Sequence, residues 1–194
     1  MNPPPLVLAS TSRYRRALLE RLRVPFECEA PGVDEDAFKG GSLSPEQLAA
    51  TLAREKALAV ARRRPGSLVI GSDQVCAVGE QVLGKPGTRE VALERLERLA
   101  GRTHRLVTAV AVVRDRDLVE FSDTTHLSMK PLTPEAIARY VDADQPLDCA
   151  GGYKLEELGV ALFERIESAD QTAIIGLPLI ELCSVLGRYG YSLP

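Results

Sequence analysis

The chain of 194 residues is short of the features that mark several large functional classes. Its four cysteines, Cys28, Cys76, Cys149 and Cys183, include no CxxC pair and have no histidine nearby at ligand spacing. That argues against a zinc site or a disulfide framework. The two histidines, His104 and His126, have no serine or cysteine partner recognisable from sequence and read as structural. Basic charge is not in excess: 24 Lys and Arg stand against 27 Asp and Glu, for a formal net charge of −3. A protein held to nucleic acid by counterion release needs a broad basic surface, so none is expected here. No stretch approaches the roughly 20 apolar residues of a membrane span. The early run Leu6-Val7-Leu8-Ala9 is too short for a secretory core, and Arg13, Arg15 and Arg16 follow it instead of preceding it. These absences together predict a reduced, cytoplasmic protein with no nucleic acid and no membrane among its partners.

What is present describes a folded chain, with 45% hydrophobic and 26% charged residues. Leu6 to Ala9 reads as a strand, followed by a loop and a helix carrying Leu18, Leu19 and Leu22 on one face. Ser44-Pro45-Glu46-Gln47 has the signature of a capping box with proline at the first helical position. A helix is predicted from there to about Arg64, stopped by Pro65-Gly66. Leu68-Val69-Ile70 reads as a buried strand, and residues 75–78 and 81–83 as a hairpin turning at Gly79-Glu80. Further helices are predicted from Thr88 to Leu99, from Thr133 to about Val141 and from Pro178 to Arg188, with strands over 106–113, 118–129 and 160–166. Strands and helices alternate without a repeat. The expected fold is α/β, a mixed and partly antiparallel sheet flanked by helices, in two lobes around a cleft.

Five places can carry chemistry. Ser10-Thr11-Ser12, leading into Arg13-Tyr14-Arg15-Arg16, puts small polar residues at a strand-to-helix junction, where free backbone N–H groups, the helix dipole and nearby guanidinium groups favour a phosphate. The local pattern does not choose among Arg13, Arg15 and Arg16. It has neither the GxxxxGK[ST] spacing of a P-loop nor a GxGxxG. Gly71-Ser72-Asp73-Gln74 follows an apolar run, where a strand-end carboxylate is placed to take a proton from water or hold a metal, although a turn aspartate explains it in isolation. Gly84-Lys85-Pro86 fixes an ammonium between two backbone-restricting residues. Val33-Asp34-Glu35-Asp36, in a loop between Pro31 and Ser44, offers carboxylates of the kind that hold Mg²⁺ or Mn²⁺ with water and phosphate. Lys56 lies on the second helix. Singly, each also reads as an ordinary cap, turn or solvated charge. Together they supply cations, carboxylates and a base, which phosphate-ester chemistry requires.

In order and spacing, Leu8-Ala9-Ser10-Thr11-Ser12 with Arg15, Val33-Asp34-Glu35, Arg54-Glu55-Lys56-Ala57, Gly71-Ser72-Asp73-Gln74, Gly84-Lys85-Pro86, Gly101-Arg102-Thr103-His104, Cys149-Ala150-Gly151 and Gly176-Leu177-Pro178-Leu179 resemble the Maf family of nucleotide pyrophosphatases. The resemblance implies one Maf-like domain of two lobes over residues 1–194 in a Maf / ITPase-like fold, commonly a homodimer. It implies hydrolysis of a nucleoside triphosphate to monophosphate and pyrophosphate with a divalent metal, Mg²⁺ or Mn²⁺. Asp73 would be the proton acceptor, Ser10, Arg15, Lys56 and Lys85 would bind the triphosphate, and Glu35 with Asp73 would hold the metal. Tyr14, Gln74 and Glu156 resemble the branch directed at 7-methyl-GTP. A methylated guanine carries positive charge that an aromatic face attracts, and a carboxylate accepts from its N1 and N2 groups. Arg13 departs from the proline common at its position, which removes a φ constraint and adds charge near the phosphates. A pyrophosphatase of dTTP and UTP or of broader range, and a nucleotide-binding regulator of cell division, are the alternatives.

Overall fold

The computed structural model describes residues 3–38 and 42–193. Seven strands run in chain order as β1 (Leu6–Leu8), β2 (Glu27–Cys28), β3 (Leu68–Val78), β4 (Gln81–Leu83), β5 (Thr103–Arg114), β6 (Asp117–Met129) and β7 (Phe163–Glu167). The helices are α1 (Arg13–Glu20), α2 (Pro45–Ala61), α3 (Arg89–Leu99), α4 (Pro134–Asp144), α5 (Gln171–Ile175) and α6 (Leu179–Arg188). The strands form one mixed sheet in the order β2-β1-β3-β5-β6-β7, with β4 hydrogen-bonded to β3. β1 is parallel to β2 and β3, and every other pairing is antiparallel.

The central strands β1, β3 and β5 are buried on both sides, and their period-2 alternation decides which residue faces which layer. Leu6, Leu8, Leu68, Ile70, Val110 and Val112 pack with Leu18 and Leu19 of α1 and Leu182, Val185 and Leu186 of α6. The intervening Val7, Val69, Ala109, Ala111 and Val113 pack against Leu48, Ala49, Leu52, Ala53, Ala57 and Val60 of α2. A third cluster joins α3 and α4 to the far half of the sheet through Leu96, Leu99, Leu106, Leu127, Ile137, Tyr140, Tyr153 and Phe163.

The predicted helix starts hold. Ser44 and Gln47 form a reciprocal capping box, with Gln47 N donating to Ser44 Oγ at 3.2 Å and Ser44 N donating to Gln47 Oε1 at 3.0 Å. Thr88 and Thr133 cap α3 and α4. Other expectations need correction. Residues 71–74 are not a turn at the end of a short strand: β3 continues to Val78, paired with β5 from Val69↔Val113 to Ala77↔Arg105. Sequence pattern misleads here because a glycine and three polar residues interrupt the apolar run, whereas the ladder with β5 carries the backbone straight through. Residues 158–162 form a 3-10 turn, so β7 starts at Phe163 and not at Val160. The β5–β6 hairpin turns tightly, with Arg114 paired to Asp117 and Asp115 at φ +54°. The short elements β2 and α5 were not anticipated. The acidic loop contains a 3-10 turn at Asp36–Phe38, and its residues 39–41 lie outside those described.

Gly71 explains how closely α2 lies on β3. A methyl group in place of its α-hydrogen would sit 2.3 Å from Ala53 O and 2.6 Å from Ala57 N, both backbone atoms of α2. Helix and strand would have to separate. Gly71→Ala is therefore expected to destabilise the fold by about 1–3 kcal/mol. Chemical denaturation of the variant beside the unaltered chain checks this, and equal midpoints would show that the layers are not in contact there.

Candidate active site

A cavity of about 760 Å³ opens beside the middle of β3, within the size range of small-molecule sites. Its walls combine the end of β1 and the start of α1 (Ser10 to Arg15), the acidic loop (Glu35), α2 (Leu48, Leu52, Lys56), β3 (Asp73, Gln74, Val75), the segment after β4 (Gly84, Lys85) and the 148–156 segment. All the residues singled out in the sequence, Ser10, Tyr14, Arg15, Glu35, Lys56, Asp73, Gln74, Lys85 and Glu156, line it.

Lys56, Ser10 and Asp73 are the most buried of them, 5%, 6% and 7% exposed. Alternation along β3 sends Asp73 toward α2 while its neighbours Ser72 and Gln74 turn to the opposite face, against α5. Lys56 Nζ donates to Asp73 Oδ1 at 2.5 Å and lies 2.6 Å from Glu35 Oε1. One ammonium thus draws two carboxylates from separate parts of the chain onto one point. Burial pushes the Asp73 carboxyl above its ordinary value, opposed by Lys56 and Arg15 and reinforced by Glu35.

Arg15 is half-buried, and its Nε donates to Gly176 O at 3.0 Å. The same carbonyl accepts from Ser72 Oγ at 3.0 Å, so the end of α5 ties Arg15 to the strand that carries Asp73. Burial lowers the Arg15 pKa, while Asp73 and Glu35 raise it. The three arginines after Ser12 take different positions. Arg16 pairs with Glu20 at 3.0 Å along α1 and lines no part of the cavity, whereas Arg13 stands at its mouth, 3.7 Å from Asp148 Oδ2. Ser10 is buried and its Oγ accepts from Ser12 N at 3.1 Å, which shapes the loop before α1. Lys85 is exposed toward the cavity.

Of the three residues expected to read the base, Tyr14 is half-buried in the wall with its hydroxyl pushed up to about 12, chiefly by burial. Glu156 is exposed on the cavity lining. Gln74 is differently engaged: its amide nitrogen lies 2.9 Å from each of Thr108 Oγ1, Ala173 O and Ile174 O, which share its two N–H donors. It anchors α5 to the sheet, so any contact with a base falls to its Oε1. His104 is structural, buried with Nε2 2.7 Å from the Tyr153 hydroxyl and pushed down to about 4 by burial. His126 lies exposed on β6. Sequence reasoning gave no role to Asp148, Tyr153 or Gly176, whose importance comes from contacts across more than 100 positions or from a buried aromatic packing that has no local pattern.

Among the described residues no group of three or more His, Cys, Asp or Glu side chains gathers as a metal cage. Asp73 and Glu35 converge on the Lys56 ammonium, and their carboxylate oxygens are the donor type that a hard divalent cation takes together with water and phosphate. Lys56→Met is expected to destabilise the protein by about 3–5 kcal/mol at neutral pH, because two carboxylates lose their shared ion partner. Without the ammonium the Asp73 pKa rises further. A raised carboxyl is tolerated while protonated and loses that stability as pH climbs, so the deficit should be small near the ordinary value of 3.8 and grow toward neutrality. Denaturation of both proteins across that range checks the sign, and a deficit independent of pH would contradict it.

Comparison with known proteins places the chain in a family. The model of the family described as Maf-like protein matches residues 5–189. A protein of Xanthomonas oryzae pv. oryzae named 7-methyl-GTP pyrophosphatase is 49% identical over 191 residues, 98% of this chain and 100% of that one. Its namesake in Bordetella pertussis is 50% identical over 189 residues, 97% of this chain and 94% of the other. Among solved structures, a HAM1 protein from Coxiella burnetii superposes with a TM-score of 0.50 at 17% identity, covering 95% of this chain and 98% of that one, a likeness of fold.

Proposed function

The chain belongs to the Maf-like protein family, and from that premise we propose that it is a nucleoside triphosphate pyrophosphatase that hydrolyses 7-methyl-GTP to 7-methyl-GMP and pyrophosphate. The observation that carries the reading is the convergence of Asp73, Lys56 and Glu35 in a cavity also lined by Ser10, Arg15 and Lys85. A polyanion requires cations beside it, and a hydrolytic attack requires a base that is ionised yet basic enough to take a proton. Lys56 favours the ionised form of Asp73, while burial raises its basicity toward working pH.

In the proposed reaction Asp73 accepts a proton from water as the water oxygen attacks the α-phosphorus. The bond from that phosphorus to the α,β-bridging oxygen breaks, and pyrophosphate leaves with the bond's electron pair. Arg15, Lys56 and Lys85 offset the charge of the triphosphate, and Ser10 helps hold it beside the start of α1. Glu35 and Asp73 would hold a divalent cation, Mg²⁺ or Mn²⁺, which when bound adds positive charge at the phosphates. Tyr14 and Glu156, with the Oε1 of Gln74, are the side chains proposed to read the base. We read residues 1–194 as a single Maf-like domain with two lobes around this cavity, acting in the cytoplasm as a homodimer. Four unpaired cysteines and the absence, among the described residues, of any helix long and apolar enough to cross a membrane accord with that location.

Release of pyrophosphate measured across 7-methyl-GTP, GTP, dTTP, UTP and ITP should be fastest with 7-methyl-GTP. A preference for UTP or dTTP would overturn the substrate, and intact nucleotide after long incubation with metal would make the chain a sensor. Asp73→Asn should keep its fold and lose on the order of 10²- to 10⁴-fold in turnover. Full activity in that variant would remove the base. A chelator such as EDTA should stop hydrolysis, and added Mg²⁺ or Mn²⁺ should restore it; a rate indifferent to chelation would exclude the metal.

A further inference from the structure

Two charged side chains at the cavity mouth have no part in the chemistry above. Arg13, the first residue of α1, lays its guanidinium over the ring of Tyr14, with Cζ 4.7 Å from the ring centroid. Its Nη2 donates to the Tyr14 hydroxyl at 2.7 Å and stands 3.7 Å from Asp148 Oδ2. Asp148 arrives from the segment after α4, beside Cys149, whose thiol lies 3.9 Å from the same Tyr14 hydroxyl. All four residues line the cavity. An aromatic ring and a carboxylate therefore bracket one cation, and that cation is the protein's own.

This bracket has the chemistry that selects a planar, delocalised and weakly hydrated cation, since the ring attracts through its quadrupole and the carboxylate through its charge. A 7-methylated guanine is a planar ring of that charge type, whereas the guanine of GTP is neutral. We propose that Tyr14 and Asp148 form a subsite that reads the charge of the base, with Asp148 favouring and Arg13 disfavouring a cationic ring. The proposal rests on the reading of the chain as a nucleoside triphosphate pyrophosphatase. It assigns specificity to two residues whose charges act in opposite directions, so the signs of their effects distinguish it from a structural role. The Arg13 and Asp148 side chains are 71% and 55% exposed, which keeps the effect modest.

The test compares kcat/KM for 7-methyl-GTP with kcat/KM for GTP in the unaltered chain, Asp148→Asn, Arg13→Gln and a control, Asp142→Asn. The two substrates carry the same triphosphate, so any contact of Arg13 with phosphate cancels in the ratio. Asp142 makes an exposed pair with Arg89 at 2.6 Å and lines no part of the cavity. The ratio should fall about 2- to 5-fold in Asp148→Asn and rise by a similar factor in Arg13→Gln. Both changes should shrink in about 1 M salt, where screening is nearly complete, and the control should leave the ratio in place. An unchanged or raised ratio in Asp148→Asn, a lowered ratio in Arg13→Gln, or an equal shift in the control would overturn the proposal. Should the unaltered chain show no preference for 7-methyl-GTP while the variants still move the ratio with these signs, the subsite stands and the substrate reading falls. Absence of hydrolysis with either nucleotide removes both.

Discussion

The contact on which the rest of the site depends is the ammonium of Lys56 held between Asp73 and Glu35. A carboxylate as enclosed as Asp73 is unfavourable by itself, since burial disfavours its charged form. The lysine makes the charge tolerable and at the same time fixes where a helix, a strand and a loop must meet. The fold supplies that meeting point by packing α2 flat on the sheet, so that a side chain from the helix reaches the strand without crossing water. Charge compensation and chemistry are thus one arrangement: the groups that favour the ionised form of Asp73 also line the space proposed for the polyphosphate.

A strand buried on both faces, as β3 is, can serve two purposes. Along β3, Ser72 and Gln74 fasten α5 through Gly176 O, Ala173 O and Ile174 O, while Asp73 between them faces α2. The carbonyl of Gly176 also takes Arg15 Nε, so the end of α5 is braced between α1 and β3. Neighbouring polar residues in the strand therefore divide between holding the wall and equipping the cavity, and a polar tetrapeptide that resembles a loop is a strand segment with every side chain engaged.

That division marks the boundary of what was legible beforehand. Helix starts at Ser44, Thr88 and Thr133 were readable because capping is local chemistry. The strand cores were readable because alternation and apolar runs are local too. The nine residues named from the order of the motifs all line one cavity. The conformation of residues 71–74 was not readable, because the partner that makes them a strand is β5, more than 30 positions away. The same distance hid the engagement of the Gln74 amide with α5 and the pairing of Arg13 with Asp148, and nothing local singles out Arg15 among three arginines as the one that turns inward. Contacts of this kind belong to the assembled fold.

The seating of α2 against Gly71 has a consequence for how this protein can vary. The helix rests on the strand through Ala53 and Ala57, and Lys56 sits one residue before the second of these. The thickness of that seam sets the reach of the lysine toward Asp73, two residues along the strand, as a shim sets the gap in a machine. A larger residue on either side would widen the gap and draw the ammonium away from the carboxylate even if the chain still folded. Homologues that keep the chemistry should therefore be confined to the smallest residues along this line, a constraint transmitted through packing to positions that never meet the nucleotide.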